Sequence, residues 1–117
     1  MRMYYTIKRD SKGIRVSLRK KNYKSPYQKP HSDEVGYIHV LFEPNKLASV
    51  LNVEVDPKWK NKGWGKKLYL KAIEELKKKG YKGLISEEEA RTPSASRVVE
   101  SLRRMDLGDF IILGDET

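Results

Sequence analysis

Val53-Glu54-Val55-Asp56-Pro57-Lys58-Trp59-Lys60-Asn61-Lys62-Gly63-Trp64-Gly65-Lys66-Lys67-Leu68 reads as a strand that passes through a glycine-bearing turn into the first turn of a long amphipathic helix. A helix start offers backbone N–H groups without internal partners and the positive end of the helix dipole. That combination suits a phosphate. Gly63 and Gly65 remove side chains that would hold a pyrophosphate off the backbone, and glycine accepts the positive φ that such turns often need. The charges point the same way. A helix serving structure alone gains from Asp or Glu in its first turn, whereas Lys60, Lys62, Lys66 and Lys67 crowd this one against its own dipole. A bound anion offsets that repulsion. For the G-x-G alone, an ordinary tight turn in an α/β protein is the plain alternative. Two nucleotide motifs are excluded: the chain has no G-x-x-x-x-G-K-S/T, and a G-x-G-x-x-G fails because Leu68 stands at its last position.

The segment resembles the acyl-CoA site of the GNAT superfamily of N-acetyltransferases. The family signature is an apolar strand L-x-V-x-P followed by Q/R-x-x-G-x-G/A opening a helix; here Val53 to Pro57 form the first part and Lys60 to Gly65 the second. Lys60 replaces the usual Gln or Arg and keeps the positive charge. The resemblance implies that the backbone from Asn61 through Lys62, Gly63, Trp64 and Gly65 to Lys66 holds the CoA pyrophosphate. It also implies that Val53 and Val55 pair with the pantetheine arm like an added strand. Acetyl-CoA is then the expected co-substrate and an amine of a protein or small molecule the acceptor.

Composition bounds this reading. At 117 residues the chain is expected to be a single domain, 1–117, since a second core would leave neither half enough buried surface. The net charge of +9 favours anionic partners such as a CoA-type cofactor, an acidic protein surface or a nucleic acid, with plain solubility as the alternative. The absence of cysteine excludes disulfides, a Cys nucleophile and thiolate metal sites. His31 and His39 are too few and too separate for a metal site, so none is expected. With no membrane-length apolar run and no signal-type N-terminus, a cytoplasmic location is expected.

Along the chain, Met3–Lys8, a turn at Asp10–Gly13 and the strictly alternating Ile14–Arg19 predict a hairpin with one buried face. The stretch Asn22–Ser32, with two prolines and no period, predicts an exposed loop. Val35–Phe42 and Leu47–Val55 predict a second hairpin around Glu43–Lys46. The helix from about Gly63 to Lys79 places Leu68, Tyr69, Ala72, Ile73 and Leu76 on one stripe, with Lys71, Glu74, Glu75, Lys77 and Lys78 opposite, Glu74–Lys78 and Glu75–Lys79 as supporting i,i+4 pairs and Gly80 as the stop. Lys82–Ser86 predicts a short strand, Thr92-Pro93 opens a helix to about Met105, and Phe110–Leu113 a last strand. This order resembles a reduced GNAT α/β fold with a mixed central sheet, lacking the family's first two helices between its first two strands. A shallow acceptor site follows, fit for a protein tail or completed by a second subunit in a homodimer.

Amide-forming acyl transfer needs a polarised thioester, a base and an acid. In the family a backbone N–H of the central strand meets the oxyanion, which here means Val55 or Glu54. Many members carry the base four and two residues before Val53, where this chain has Ser49 and Leu51. Glu54 and Ser49 are therefore the candidate catalytic residues: Glu54 is the ionisable group on that strand, and Ser49 occupies a family base position. A solvated, outward-facing glutamate is the alternative for Glu54. The family pattern N-x-x-A-x-x-x-Y finds its nearest register at Thr92–Val99, which keeps Ala95 but replaces the acidic Tyr by Val99. Thr92 and Ser94 are candidate pantetheine contacts or helix caps, and Arg97 and Arg103 either reach phosphate or lie on an exposed face. The run Glu87-Glu88-Glu89 either attracts a basic acceptor or is a solvated turn. Two rival classes stay open: a degenerate GNAT domain that binds acyl-CoA or a partner without turnover, and a basic nucleic-acid-binding module, which requires a contiguous basic stripe.

Overall fold

The computed structural model describes residues 2–22, 31–86 and 93–114. Strands β1 (Arg2–Arg9), β2 (Gly13–Asn22), β3 (His31–Glu43) and β4 (Leu47–Val55) run antiparallel in sequence order. Helix α1 (Trp64–Lys78) leads to β5 (Gly83–Ile85), and α2 (Pro93–Arg103) leads to β6 (Ile111–Leu113). Both last strands join the sheet in parallel, giving the order β1-β2-β3-β4-β5-β6. A parallel neighbour cannot be reached by a hairpin, so each of these two connections carries a helix.

The connection between β1 and β2 is as tight as the sequence requires. Asp10 accepts hydrogen bonds from the N–H groups of Lys12 and Gly13 at 2.8 and 2.9 Å, closing the turn with no room for intervening helices. Gly13 is obligatory for a different reason: a Cβ there would run into the Val40 carbonyl of β3. The reduced, mixed-sheet fold is thus the one observed.

Alternation sorts the strands into two faces. Ile14, Val16 and Leu18 of β2 and Ile38 and Val40 of β3 are buried against Leu68, Ala72, Ile73 and Leu76 of α1, the stripe read from the sequence. Each such side chain stabilises the fold by about 1.5–3 kcal/mol relative to exposure. Val99, Leu102 and Phe110 extend the core under α2. The opposite face presents Arg15, Tyr37, His39, Asn52 and Glu54, with no described helix over it.

Three sequence expectations are corrected. Glu75 is not on the solvent side of α1: it is 4% exposed, and its carboxylate accepts from Arg9 at 3.0 Å. The α1 face toward β1 is wider than the apolar stripe, and Arg9 supplies the partner that a buried carboxylate needs. The Glu75–Lys79 support expected from spacing gives way to Lys78, which lies 3.8 Å from Glu75 and 3.7 Å from Glu74. Strands β2 and β3 are also longer than their hydrophobic alternation, because Lys20 to Asn22 pair with Asp33 to His31 in a polar extension. Only residues 23–30 of the expected loop remain between them, and these lie outside the described residues. Among the described residues, no helix is long and apolar enough to cross a membrane, and no cluster of His, Cys, Asp and Glu has the arrangement of a metal site.

Candidate acyl-CoA cleft

One edge of β4 pairs with β3 from Leu47 to Val55, whereas the other pairs with β5 only from Leu47 to Ser49. Beyond Ser49 the two strands part. A bulge at Leu51 lies just beyond that point: Val40 pairs with Val50 and His39 with Asn52, leaving Leu51 without a partner in β3. The bulge also reassigns the faces. Ala48 and Val50 before it, and Val53 and Val55 after it, all face the helices, while Ser49, Asn52 and Glu54 face the open side.

The gap between the strands opens into a cleft of about 850 Å³. Its walls include the edge of β4 from Val50 to Val55, which has no strand partner on that side among the described residues, the following turn through Asn61, the start of α1, Ser86 after β5 and Arg97 and Val98 of α2. Asp56 caps the short turn Pro57–Trp59 by accepting from the Lys58 N–H at 2.9 Å, which directs the chain toward Gly63. Gly63 stands in the left-handed region at φ 83°, as a non-glycine residue rarely does, and caps α1 without any side-chain bond. The first backbone bond of α1 runs from Lys67 N–H to Gly63. The N–H groups of Trp64, Gly65 and Lys66 precede it and have no acceptor within the helix. A Cβ on Gly65 would lie 3.9 Å from Val98 and 4.0 Å from Val55, so a larger side chain there would occupy the cleft.

The residues expected to hold a cofactor are largely brought together. Val53, Val55, Lys60, Asn61, Gly63, Gly65 and Lys66 line the cleft, and so does Glu54. Lys62 and Trp64 do not. The Lys62 ammonium lies over the Trp59 ring at 5.3 Å, together with Lys20 at 5.6 Å, and Trp59 itself forms part of the wall. Trp64 packs against the core beneath Lys67, 4.3 Å above its ring. Ser49 shares the open face with Glu54 but sits below the divergence, where its hydroxyl donates to Glu43 at 2.8 Å; it does not line the cleft. Thr92 and the run Glu87–Glu89 lie outside the described residues, as does the side chain of Ser94. Arg97 reaches the cleft, whereas Arg103 donates to the Gly114 carbonyl at 2.9 Å. Val99 is fully buried in the core, so the α2 side chains facing the cleft are Arg97 and Val98.

Several lining residues had no signal in the sequence. Tyr37 stands directly across from Glu54 in the β3–β4 register. Its hydroxyl accepts from Asn52 at 2.8 Å, and the Arg15 guanidinium lies 3.9 Å above its ring. Arg15 in turn donates to both Glu34 oxygens at 3.0 and 3.3 Å. Burial pulls the Glu34 pKa upward, but hydrogen bonds from Ser17 and Arg15 and the Arg15 charge outweigh it, and the net direction is down. The cleft thus has a cationic side, with Lys60, Lys66 and Arg97 around a free helix start, and an acidic side at Glu34 and Glu54.

A protein-family model, the acetyltransferase (GNAT) family, matches residues 17–99, and the chain belongs to that family. Among solved structures it is similar to the ribosomal-protein-S18-alanine N-acetyltransferase from Escherichia coli, with 22% identity and a TM-score of 0.60 over 80% of this chain and 54% of that one. It is similar as well to an acetyltransferase of the GNAT family from Staphylococcus aureus Mu50, with 21% identity and a TM-score of 0.60 over 78% of this chain and 52% of that one. The chain spans about half the length of these structures, and at these identities the likeness shows the fold. None of the curated proteins compared with it gives a significant match.

Proposed function

We propose that this chain is an N-acetyltransferase that moves an acetyl group from acetyl-CoA directly to an amine. The observation that carries the reading is the edge of β4, unpaired beyond Ser49 among the described residues, running into a glycine- and lysine-bearing helix start with no side-chain bond from its cap residue, within one cleft. An extended pantetheine arm completes the free edge as an added strand would, and the pyrophosphate meets the N–H groups of Asn61 to Lys66. Both demands come from the fold itself, since a free strand edge and an uncapped helix start each present backbone groups in need of partners.

The open face of the sheet is the natural approach for the amine. There Glu54 takes the ammonium proton, directly or through water, and the nitrogen attacks the thioester carbonyl. The N–C bond forms, the nitrogen releases its second proton to solvent, the C–S bond breaks, and the thiolate leaves and takes a proton from solvent. Backbone N–H groups at Glu54 and Val55 are the candidates to meet the oxyanion. A protein amino group is the preferred acceptor, because the Asp10–Gly13 turn leaves no helical wall to enclose a small one.

Calorimetric titration with acetyl-CoA tests the cofactor half of this reading, and Glu54→Gln tests the base. The variant is expected to retain acetyl-CoA binding and to lose roughly a hundredfold in kcat/KM; unchanged turnover would remove Glu54 from the mechanism. A second reading, acyl-CoA binding without turnover, is favoured by the burial of Val99 where the family has its tyrosine. Tight acetyl-CoA binding with no acetylation across a broad panel of protein and small-molecule amines would establish it.

A further inference from the structure

Ser86 follows the last residue of β5 that pairs with β4, at the point where the two strands part. It is 1% exposed, and its backbone N–H donates to the Leu113 carbonyl at 2.8 Å, which ties the residue to β6. Its hydroxyl has no hydrogen-bond partner among the described residues, yet Ser86 lines the cleft. A buried hydroxyl left in this state is uncommon, because it has lost water and gained nothing in return.

The position explains what the hydroxyl is for. An arm lying along β4 satisfies its polar groups on that side through the strand's backbone. Its other side faces the gap from which β5 has already withdrawn, since β5 ends at Ile85 and the Ser86 N–H is engaged with β6. A side-chain donor has to replace the missing backbone there, and serine carries one O–H to give. Resting on the acyl-CoA reading above, we propose that Ser86 is a further ligand-binding residue. Its hydroxyl donates a hydrogen bond to a carbonyl oxygen of the acyl-pantetheine arm, on the side opposite β4.

Calorimetric titration of wild type and Ser86→Ala with acetyl-CoA and with 3′,5′-ADP, which lacks the arm, tests this. The variant is expected to bind acetyl-CoA about five- to tenfold more weakly, as for loss of one neutral hydrogen bond. Its affinity for 3′,5′-ADP is expected to be unchanged, and its ligand-free Tm equal to or slightly above that of wild type. Equal acetyl-CoA affinity in the two proteins would overturn the inference, as would an equal loss for both ligands. A lower ligand-free Tm would also overturn it, by showing that the hydroxyl is engaged within the protein. If the wild type binds neither ligand, the acyl-CoA reading itself falls.

Discussion

The two edges of β4 receive opposite treatment. Toward β3 the strand is paired from Leu47 to Val55 with the single bulge at Leu51, and Gly36 lets the backbones approach so closely that a Cβ there would stand 2.6 Å from the Glu54 carbonyl oxygen. Toward β5 the pairing stops at Ser49, and the rest of the edge faces the cleft. Edges left open along a strand are normally a liability, because unpaired N–H and C=O groups attract other strands. Here the exposed stretch is recessed between α1, α2 and the turn at Trp59, which admits an extended small molecule more readily than another sheet. Stability resides on one edge, and the proposed ligand recognition falls on the other.

Breaking the paired edge has the largest expected effect. Gly36→Val forces a branched side chain against the β4 backbone and is expected to cost roughly 2–4 kcal/mol in urea denaturation. The open edge responds differently. Gly65→Leu meets only ordinary contacts at its Cβ, so its stability is expected to stay near wild type while acetyl-CoA affinity falls about a hundredfold, close to 2.7 kcal/mol. Acetyl-CoA then fails to raise the Tm of that variant, as it would for Lys60→Glu to a lesser degree. If Gly65→Leu instead unfolds the protein and leaves affinity intact, the division between the edges is wrong.

Two smaller effects sharpen the contrast. Arg9→Met removes the main partner of buried Glu75, far from the cleft. Arg9 is about half exposed and Lys78 remains nearby, so the expected loss is about 1–2 kcal/mol of stability with acetyl-CoA affinity unchanged. The smallest concerns Asp10, whose pKa is lowered by hydrogen bonds from the backbone of Lys12 and then Gly13. A depressed carboxylate stabilises the fold above its unfolded pKa and ceases to do so as pH falls through the folded value. Asp10→Asn should therefore flatten the acid end of the stability profile below about pH 4, the ordinary carboxylate range, while ligand affinity at neutral pH is unaltered. Thermal melts across pH with both proteins check this.

Much of the fold was legible because its signals are local. The alternation of Ile14–Arg19 placed a buried face, the 3.6-residue stripe of α1 placed another, and Gly63 and Gly65 marked the turn at which α1 starts. Local chemistry does not reach the other half of the site. The face taken by Glu54 depends on a bulge at Leu51, whose existence is settled by pairing with His39 and Val40 more than ten residues away in sequence. Simple alternation would have put Ser49 on the same face as Val53; the extra residue sends it to the other. Tyr37, Asn52 and Ser86 carry no motif, and their places in the cleft follow from strand register and from where β5 ends.

Glu75 shows the same limit in the core. Its charge suggests the solvent side of α1, yet it follows Leu68 by two turns and lies at the edge of the buried stripe, where Arg9 on β1, with Lys78 beside it, makes its burial tolerable. The chain by itself determined the order of the strands and helices, the buried stripe and the cationic turn, because each is written in the spacing of neighbouring residues. Tertiary structure alone decided which edge of β4 stays open, which side chains meet there and which buried hydroxyl is left waiting, because these follow from contacts between segments that the backbone brings together only once folded.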